Sequence, residues 1–226
     1  MVSVYDIDEL LRYFEKRYVI NLDMEFGRYR KFQNTATRYN IDAVRVSAIP
    51  SPAKEPCNIG AGLSHQKCVR MAKSEGLQNV LNFEDDVAFL ETTEDVIKDN
   101  IDFLNKKDWE YHALSYIYWG SEYQFLQDVS SGNIKMLAPG VVQFMNCNNK
   151  KGEDSFVSSA CCVAYNSTIF EKFLDEFPHL KYTMDRWNTN NFRVTAPFPC
   201  IAWQDNKECH LPEIEKFNRL VNKHLL

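Results

Sequence analysis

The chain has 226 residues, 45% hydrophobic and 13% aromatic, with eight glycines and eight prolines; this excludes a low-complexity chain and fits one ordered domain with a sizeable core. Its 26 Lys and Arg against 31 Asp and Glu give a net charge of −5, which excludes the basic footprint of a nucleic-acid binder. A polyanionic partner therefore needs local basic groups or a metal ion.

The opening MVSVYDIDELLRYFEKR is charged throughout and does not read as a signal peptide. No apolar run nears the roughly 20 residues of a membrane span, so a soluble, cytoplasmic protein without a transmembrane segment is expected. Seven scattered cysteines without a CxxC pair read as reduced, mostly core-filling residues and not as a zinc site. In SSACCVAY, Cys161 and Cys162 are expected on opposite faces of a strand.

Ile7, Leu10, Leu11 and Phe14 recur at helical spacing and predict an amphipathic helix over 5–16. YVINLD (18–23) predicts the first core strand, EFGRYRKFQNTATRY (25–39) has helical stretches, and AVRVSAI (43–49) is again strand-like. That succession is the βαβ rhythm of a parallel sheet. The proline-rich PSPAKEPCN (50–58) reads as a surface loop, followed by a helix starting near Gly62 to Ser64 and stopping at Gly76. VLNF (80–83) predicts a strand, and residues 92–107 a helix capped by Thr93.

WEYHALSYIYW (109–119) looks like a strand region, and 120–155 reads as polar with short strand-like pieces such as GVVQFM and a flexible segment near 146–154. SSACCVAYN (158–166) predicts a strand, STIFEKFLDEF (167–177) a helix, YTMDRWNTNN (182–191) an irregular loop, and 192–206 extended chain. An amphipathic helix over 213–226 completes a single domain without repeats.

The chemistry concentrates at VLNFEDDVAFL (80–90), where Glu84, Asp85 and Asp86 end an apolar strand. Three buried ionised carboxylates are costly without compensating charge. Strand alternation places Glu84 and Asp86 on one side and Asp85 on the other, a pattern suited to a divalent ion holding a diphosphate. The other reading of such a triplet is a solvated acidic turn or a helix cap.

Three stretches together resemble glycosyltransferase family 25, which includes lipopolysaccharide-type and collagen-type sugar transferases. YVINLDMEFGRYRKF (18–32) is similar to its opening VINLD element with a following arginine, NIGAGLSH (58–65) to EIGCxLSH, and VLNFEDDV (80–87) to VLIxEDDV. SSACCVAYNSTIFEKFL (158–174), MDRW (184–187) and PFPCIAWQDN (197–206) resemble its later segments more loosely. The sequence departs from the pattern at Asn58 for Glu, Ala61 for Cys and Ser158–Ser159 for Gly-Thr, and residues 1–17 form an extra N-terminal helix.

The resemblance implies an α/β, GT-A (Rossmann-like) fold with a mixed, mainly parallel sheet flanked by helices. It implies a metal-dependent inverting transferase moving a hexose from a nucleotide sugar, UDP-glucose or UDP-galactose, to a glycan or glycoprotein acceptor. Asp86 becomes the Mn²⁺ (or Mg²⁺) ligand, with His210 or Asp205 completing the shell, and Glu84 and Asp85 position the donor. Asn21, Asp23 and Arg28 border the nucleotide, Arg28 on a phosphate. Ser64 and His65 are expected at a helix start facing the diphosphate, although His65 also reads as a helix-packing histidine. Asp185 takes the place of the general base, with Trp187 beside it either stacking on sugar or anchoring the loop. Rival readings are a phosphoryl-transfer enzyme, a metal-free glycosidase and a catalytically inactive binding domain.

Overall fold

A computed structural model describes residues 4–51, 59–106, 108–145, 156–177, 183–205 and 210–226. Helix α1 (Val4–Arg12) leads into β1 (Arg17–Asn21), α2 (Phe26–Arg38) and β2 (Val44–Ser47), followed by α3 (Ile59–Ser74), β3 (Asn79–Glu84), β4 (Val87–Phe89) and α4 (Glu94–Asn105). Next come β5 (Tyr111–Ala113), β6 (Ile117–Trp119), α5 (Glu122–Ser130), β7 (Ile134–Ala138), β8 (Val141–Phe144), β9 (Phe156–Ser158) and β10 (Cys162–Asn166). A 3₁₀ turn (Ser167–Ile169) opens α6 (Phe170–Glu176); α7 (Met184–Asn191), β11 (Val194–Pro197), β12 (Ala202–Gln204) and α8 (Leu211–His224) follow.

Eight strands form one sheet in the order β2-β1-β3-β10-β5-β11-β8-β7. Parallel pairing joins β2 to β1, β1 to β3 and β5 to β11, while β10 and β8 run antiparallel to both of their neighbours. The fold is thus the expected α/β, Rossmann-like class with a mixed sheet whose strands mostly share one direction. Alternation along β1 sends Tyr18 and Ile20 into one core and Val19 into the other. The first core lies under α3, α6, α7 and α8; the second takes in α1, α2 and α4.

Helix α1 is no appendage. Ile7, Leu10, Leu11 and Phe14 are buried in the second core, and Arg17 donates to the carbonyls of Leu11 and Phe14 at 3.0 and 3.3 Å, tying the helix end to β1. Thr93 caps α4 as expected, its Oγ1 accepting from the Val96 N–H.

Several local expectations fail for identifiable reasons. The MDRWNTNN stretch is helical as α7, not irregular: it buries Met184, Trp187 and Asn188, so packing overrides a polar, Asn-rich sequence of low helix propensity. Trp187 is therefore an anchor against Phe177 and Phe192. The 120–155 region holds an unexpected helix, α5, opened by a capping box between Ser121 and Gln124. Cys161 and Cys162 fall in the same core cluster, because Cys161 precedes the strand and escapes its alternation. Cys68, Cys161, Cys162 and Cys200 are free and buried; Cys57, Cys147, Cys209, Asn58 and the segment 146–154 lie outside the described residues. Among the described residues, no helix is long and apolar enough to cross a membrane.

Candidate functional site

The parallel strands β1, β2 and β3 end together, and open α/β sheets bind ligands beyond such carboxyl ends. There a cavity of about 420 Å³ is lined by Ile20, Leu22, Arg28, Ile49, Ser64, Glu84 and their neighbours. A smaller one of about 160 Å³ holds Ser159, Asp185, Gln204 and His210. The two share Glu84 and Ala61 as a common wall. A third, of about 270 Å³, is lined by Arg28, Lys31, Thr35, Asp85, Asp86 and Asp205.

The acidic triplet does not continue the strand. Strand β3 ends at Glu84, and Asp85 and Asp86 make a turn into β4, so the expected alternation is broken. Glu84 faces the 420 and 160 Å³ cavities, Asp85 the 420 and 270 Å³ cavities, and Asp86 only the last. Pairing of β12 with β4 clamps the turn from outside: Gln204 donates to Glu84 Oε2 at 3.1 Å and the Asp205 N–H to the Asp86 carbonyl at 2.8 Å.

Asp85 and Asp86 share one cation. Arg28 Nη2 lies 2.5 Å from Asp85 Oδ1 and 2.9 Å from Asp86 Oδ2. Asn21, 1% exposed, donates its amide to Asp85 Oδ2 at 2.6 Å while its own oxygen accepts from Arg45 Nε and Nη2 at 3.0 and 2.7 Å. Arg45 also binds Asp23, whose other partner is Ser47 Oγ at 2.8 Å. The Arg45 bond, reinforced by Ser47, holds Asp23 below the usual carboxylate range.

Burial raises the Asp86 carboxyl to about 6, with the Glu84 and Asp85 charges adding to it and Arg28 opposing. Burial likewise raises Asp85 against its Asn21 and Arg28 contacts. For Glu84 burial also pushes upward, but His65, Arg28 and Gln204 outweigh it and the net direction is down.

Several expected roles change. Ser64 and His65 lie within α3, which has begun by Ile59, and not at its start. Ser64 Oγ still lines the large cavity, but it donates to the Gly60 carbonyl at 2.6 Å and accepts from the Ile49 N–H at 2.8 Å. His65 is fully buried beneath the site, with Nδ1 near Tyr165 Oη at 3.1 Å and Asn82 Nδ2 at 3.4 Å and Nε2 3.8 Å from Glu84 Oε1. It lines none of the three cavities. Asn21 and Asp23 also stand outside the cavities and act through Asp85 and Arg45.

Asp185 does face the smaller cavity. Its Oδ2 accepts from the Ser159 N–H at 3.1 Å and its Oδ1 from the Arg186 N–H at 2.9 Å, in the first turn of α7. Ser159 adopts φ +85° to make this contact. His210 lies in the same cavity, packed edge-on against Trp119, whereas Asp86 lines the 270 Å³ cavity. Asp205, in the 270 Å³ cavity, is the residue brought beside Asp86. Sequence reasoning overlooked Arg45, Gln204 and Ser159 as site residues; β-strand periodicity puts Ser47 two positions beyond Arg45, the signal that could have found the former.

The residues fit a hard divalent cation at one atom. Among the described residues no three His, Cys, Asp or Glu side chains form a cluster able to hold a metal. Asp86 Oδ1, however, is buried without a hydrogen-bond partner, and Mg²⁺-type ions are commonly held by one or two carboxylates plus substrate phosphate oxygens.

No family model and no curated protein matches the chain. Among solved structures, it resembles a UDP-glucose pyrophosphorylase complexed with UDP-glucose, at 11% identity and TM-score 0.47 over 99% of this chain and 89% of the other. HddC from Yersinia pseudotuberculosis gives 12% identity and TM-score 0.41 over 93% and 83% of the two chains. A mannose-1-phosphate geranyltransferase from Thermus thermophilus gives 10% and 0.41 over 83% and 60%. Likenesses this distant carry no argument about activity, so the functional reading rests on the cavities and the residues that line them.

Proposed function

We propose that the chain is a metal-dependent, inverting GT-A glycosyltransferase of the family 25 type, moving a hexose from a UDP-sugar to a hydroxyl of a glycan or glycoprotein. The observation that carries this reading is the pair of clefts meeting at Glu84: one of about 420 Å³ beyond the parallel strands, within the range of small-molecule sites, and one of about 160 Å³ carrying Asp185. A donor in the first cleft and an acceptor in the second would meet across their shared wall.

In this reading Asp185, held by the Ser159 and Arg186 N–H groups, takes the proton of the acceptor hydroxyl as its oxygen bonds to the anomeric carbon and the bond to the nucleoside diphosphate breaks. Glu84, fixed by Gln204, faces both clefts and orients the sugar. Arg28 offers guanidinium donors to the diphosphate. Asp86 Oδ1, with Asp205 alongside, would hold Mn²⁺ or Mg²⁺, which when bound supplies Lewis-acid stabilisation of the leaving diphosphate.

Thermal-shift titration with UDP-, GDP-, CMP- and dTDP-sugars, with and without Mn²⁺, tests the reading. Mn²⁺-dependent stabilisation by a UDP-hexose is expected, and Asp86→Ala should remove it. Absence of metal-dependent stabilisation by every sugar nucleotide would overturn the proposal. Glycoside hydrolysis unaffected by EDTA would favour a glycosidase, phosphodiester or ATP hydrolysis a phosphoryl-transfer enzyme, and donor binding without transfer an inactive binding domain.

A further inference from the structure

Arg28 stands between two cavities. It lines both the 420 Å³ cleft and the 270 Å³ cavity, whereas Asp86 lines only the latter. As arranged, a cation on Asp86 would be walled off from a diphosphate in the larger cleft by the paired Arg28 and Asp85 side chains. The guanidinium is not fully engaged: Nη2 reaches Asp85 and Asp86, but the buried Nε has no partner. Its side chain is 39% exposed, and it sits one residue after Gly27, around which space is open.

The carboxylates are also incompletely matched. Glu84, Asp85 and Asp86 face one guanidinium, with the His65 ring behind Glu84 and with Lys31 and Asp205 among the residues that line the 270 Å³ cavity. Asp86, whose side chain is 8% exposed, leaves Oδ1 aimed at no donor.

We infer that Arg28 is a displaceable partition: a divalent cation at Asp86 Oδ1 competes with the guanidinium for the same carboxylates, and the displaced guanidinium turns into the larger cleft to meet a diphosphate. The inference deepens the donor-site reading above and rests on it for the second step. One residue thereby links the two ligands, because the metal frees the group that the nucleotide needs. A guanidinium fixed in place would also repel the cation and attract the diphosphate by charge alone; displacement in addition makes Mn²⁺ tighten UDP binding more in the wild type than in Arg28→Gln.

Isothermal titration calorimetry of Mn²⁺ alone, and of UDP with and without saturating Mn²⁺, separates these cases for the wild type and Arg28→Gln. The substitution should tighten Mn²⁺ binding about tenfold and weaken UDP binding about tenfold, a coupling of ordinary size. Adding Asp86→Asn to Arg28→Gln should return Mn²⁺ affinity to the wild-type level or below. Mn²⁺ binding no tighter in Arg28→Gln, UDP binding no weaker, or an equal tightening of UDP by Mn²⁺ in both proteins overturns the inference. Should Arg28→Gln fail to fold, Arg28→Lys, which lacks the fork, should shift both affinities in the same two directions by less; no shift in either is likewise a refutation. If UDP fails to bind the wild type at all, the donor reading falls, while the titration with Mn²⁺ alone still decides the competition.

Discussion

Asp185 and Asp86 are both acids near the same strand ends, yet their surroundings assign them different work. Asp185 accepts the Arg186 N–H in the first turn of α7 and the Ser159 N–H from the β9–β10 connection, contacts that hold it in the wall of the smaller cleft. Asp86 is buried beside two other acids, and its carboxyl is pushed up to about 6. Asp185→Asn should therefore leave UDP-sugar affinity within a factor of about two and lower transfer by roughly 10²–10⁴, the usual contribution of a general base. Donor titration and initial-rate kinetics on the same preparation check it; unchanged transfer would remove Asp185 from the role. Both acids stood out in the sequence, Asp86 through its triplet and Asp185 through its place in MDRW. Arg45 did not, because it acts only through Asn21 and Asp23, contacts made between β1, β2 and the loop that follows β1.

At the scale of elements, α3 shows how a sequence motif can be recognised and its geometry misread. NIGAGLSH suggests a helix beginning among its glycines, but both described glycines of the motif lie inside α3, where they admit close neighbours. A Cβ on Gly60 would lie 2.2 Å from the Ile49 carbonyl oxygen and 2.6 Å from the Ser51 nitrogen, both backbone atoms that cannot step aside cheaply. One on Gly62 would meet the Phe177 ring at 2.4 Å. Gly60→Ala should cost about 1–3 kcal/mol by overpacking and disturb the wall of the 420 Å³ cleft. Gly27→Ala, with nothing within 4 Å of the added carbon, should instead stabilise α2 by about 0.5–1 kcal/mol. Urea unfolding of the pair reads both signs, and a neutral Gly60→Ala would show that the β2–α3 connection gives way.

For the whole molecule, a histidine buried within the central sheet couples stability to pH. His112 is fully buried, with Nδ1 3.0 Å from Thr195 Oγ1 and its ring stacked on Phe103, and burial lowers its pKa from 6.5 to about 3. Above pH 6.5 it is neutral whether folded or not, and contributes no pH dependence. As pH falls from 6.5 towards 3 the unfolded chain takes up the proton first, so stability declines by up to about 1.4 kcal/mol per pH unit from this group. His112→Asn should cost stability at pH 7.5 through lost packing and flatten the stability profile between pH 4 and 6.5. Parallel slopes for the two proteins in urea denaturation across that range would exclude His112 as the source.

The amino-acid sequence by itself determined what local chemistry can encode: the βαβ opening, the Thr93 cap, the apolar strand ahead of the acidic triplet, and the identity of the acids around the clefts. Hydrophobic period and side-chain type act over a few residues, so they survive reading without the fold. Tertiary structure decided the rest: that α7 is a helix because it buries Trp187, that His65 is a buried support under Glu84, and that Asp86 and His210 face different cavities. Each of these depends on which distant segments meet. The pairing of β12 with β4 and the placing of Arg28 against two carboxylates are contacts between chain segments that no spacing along the chain specifies.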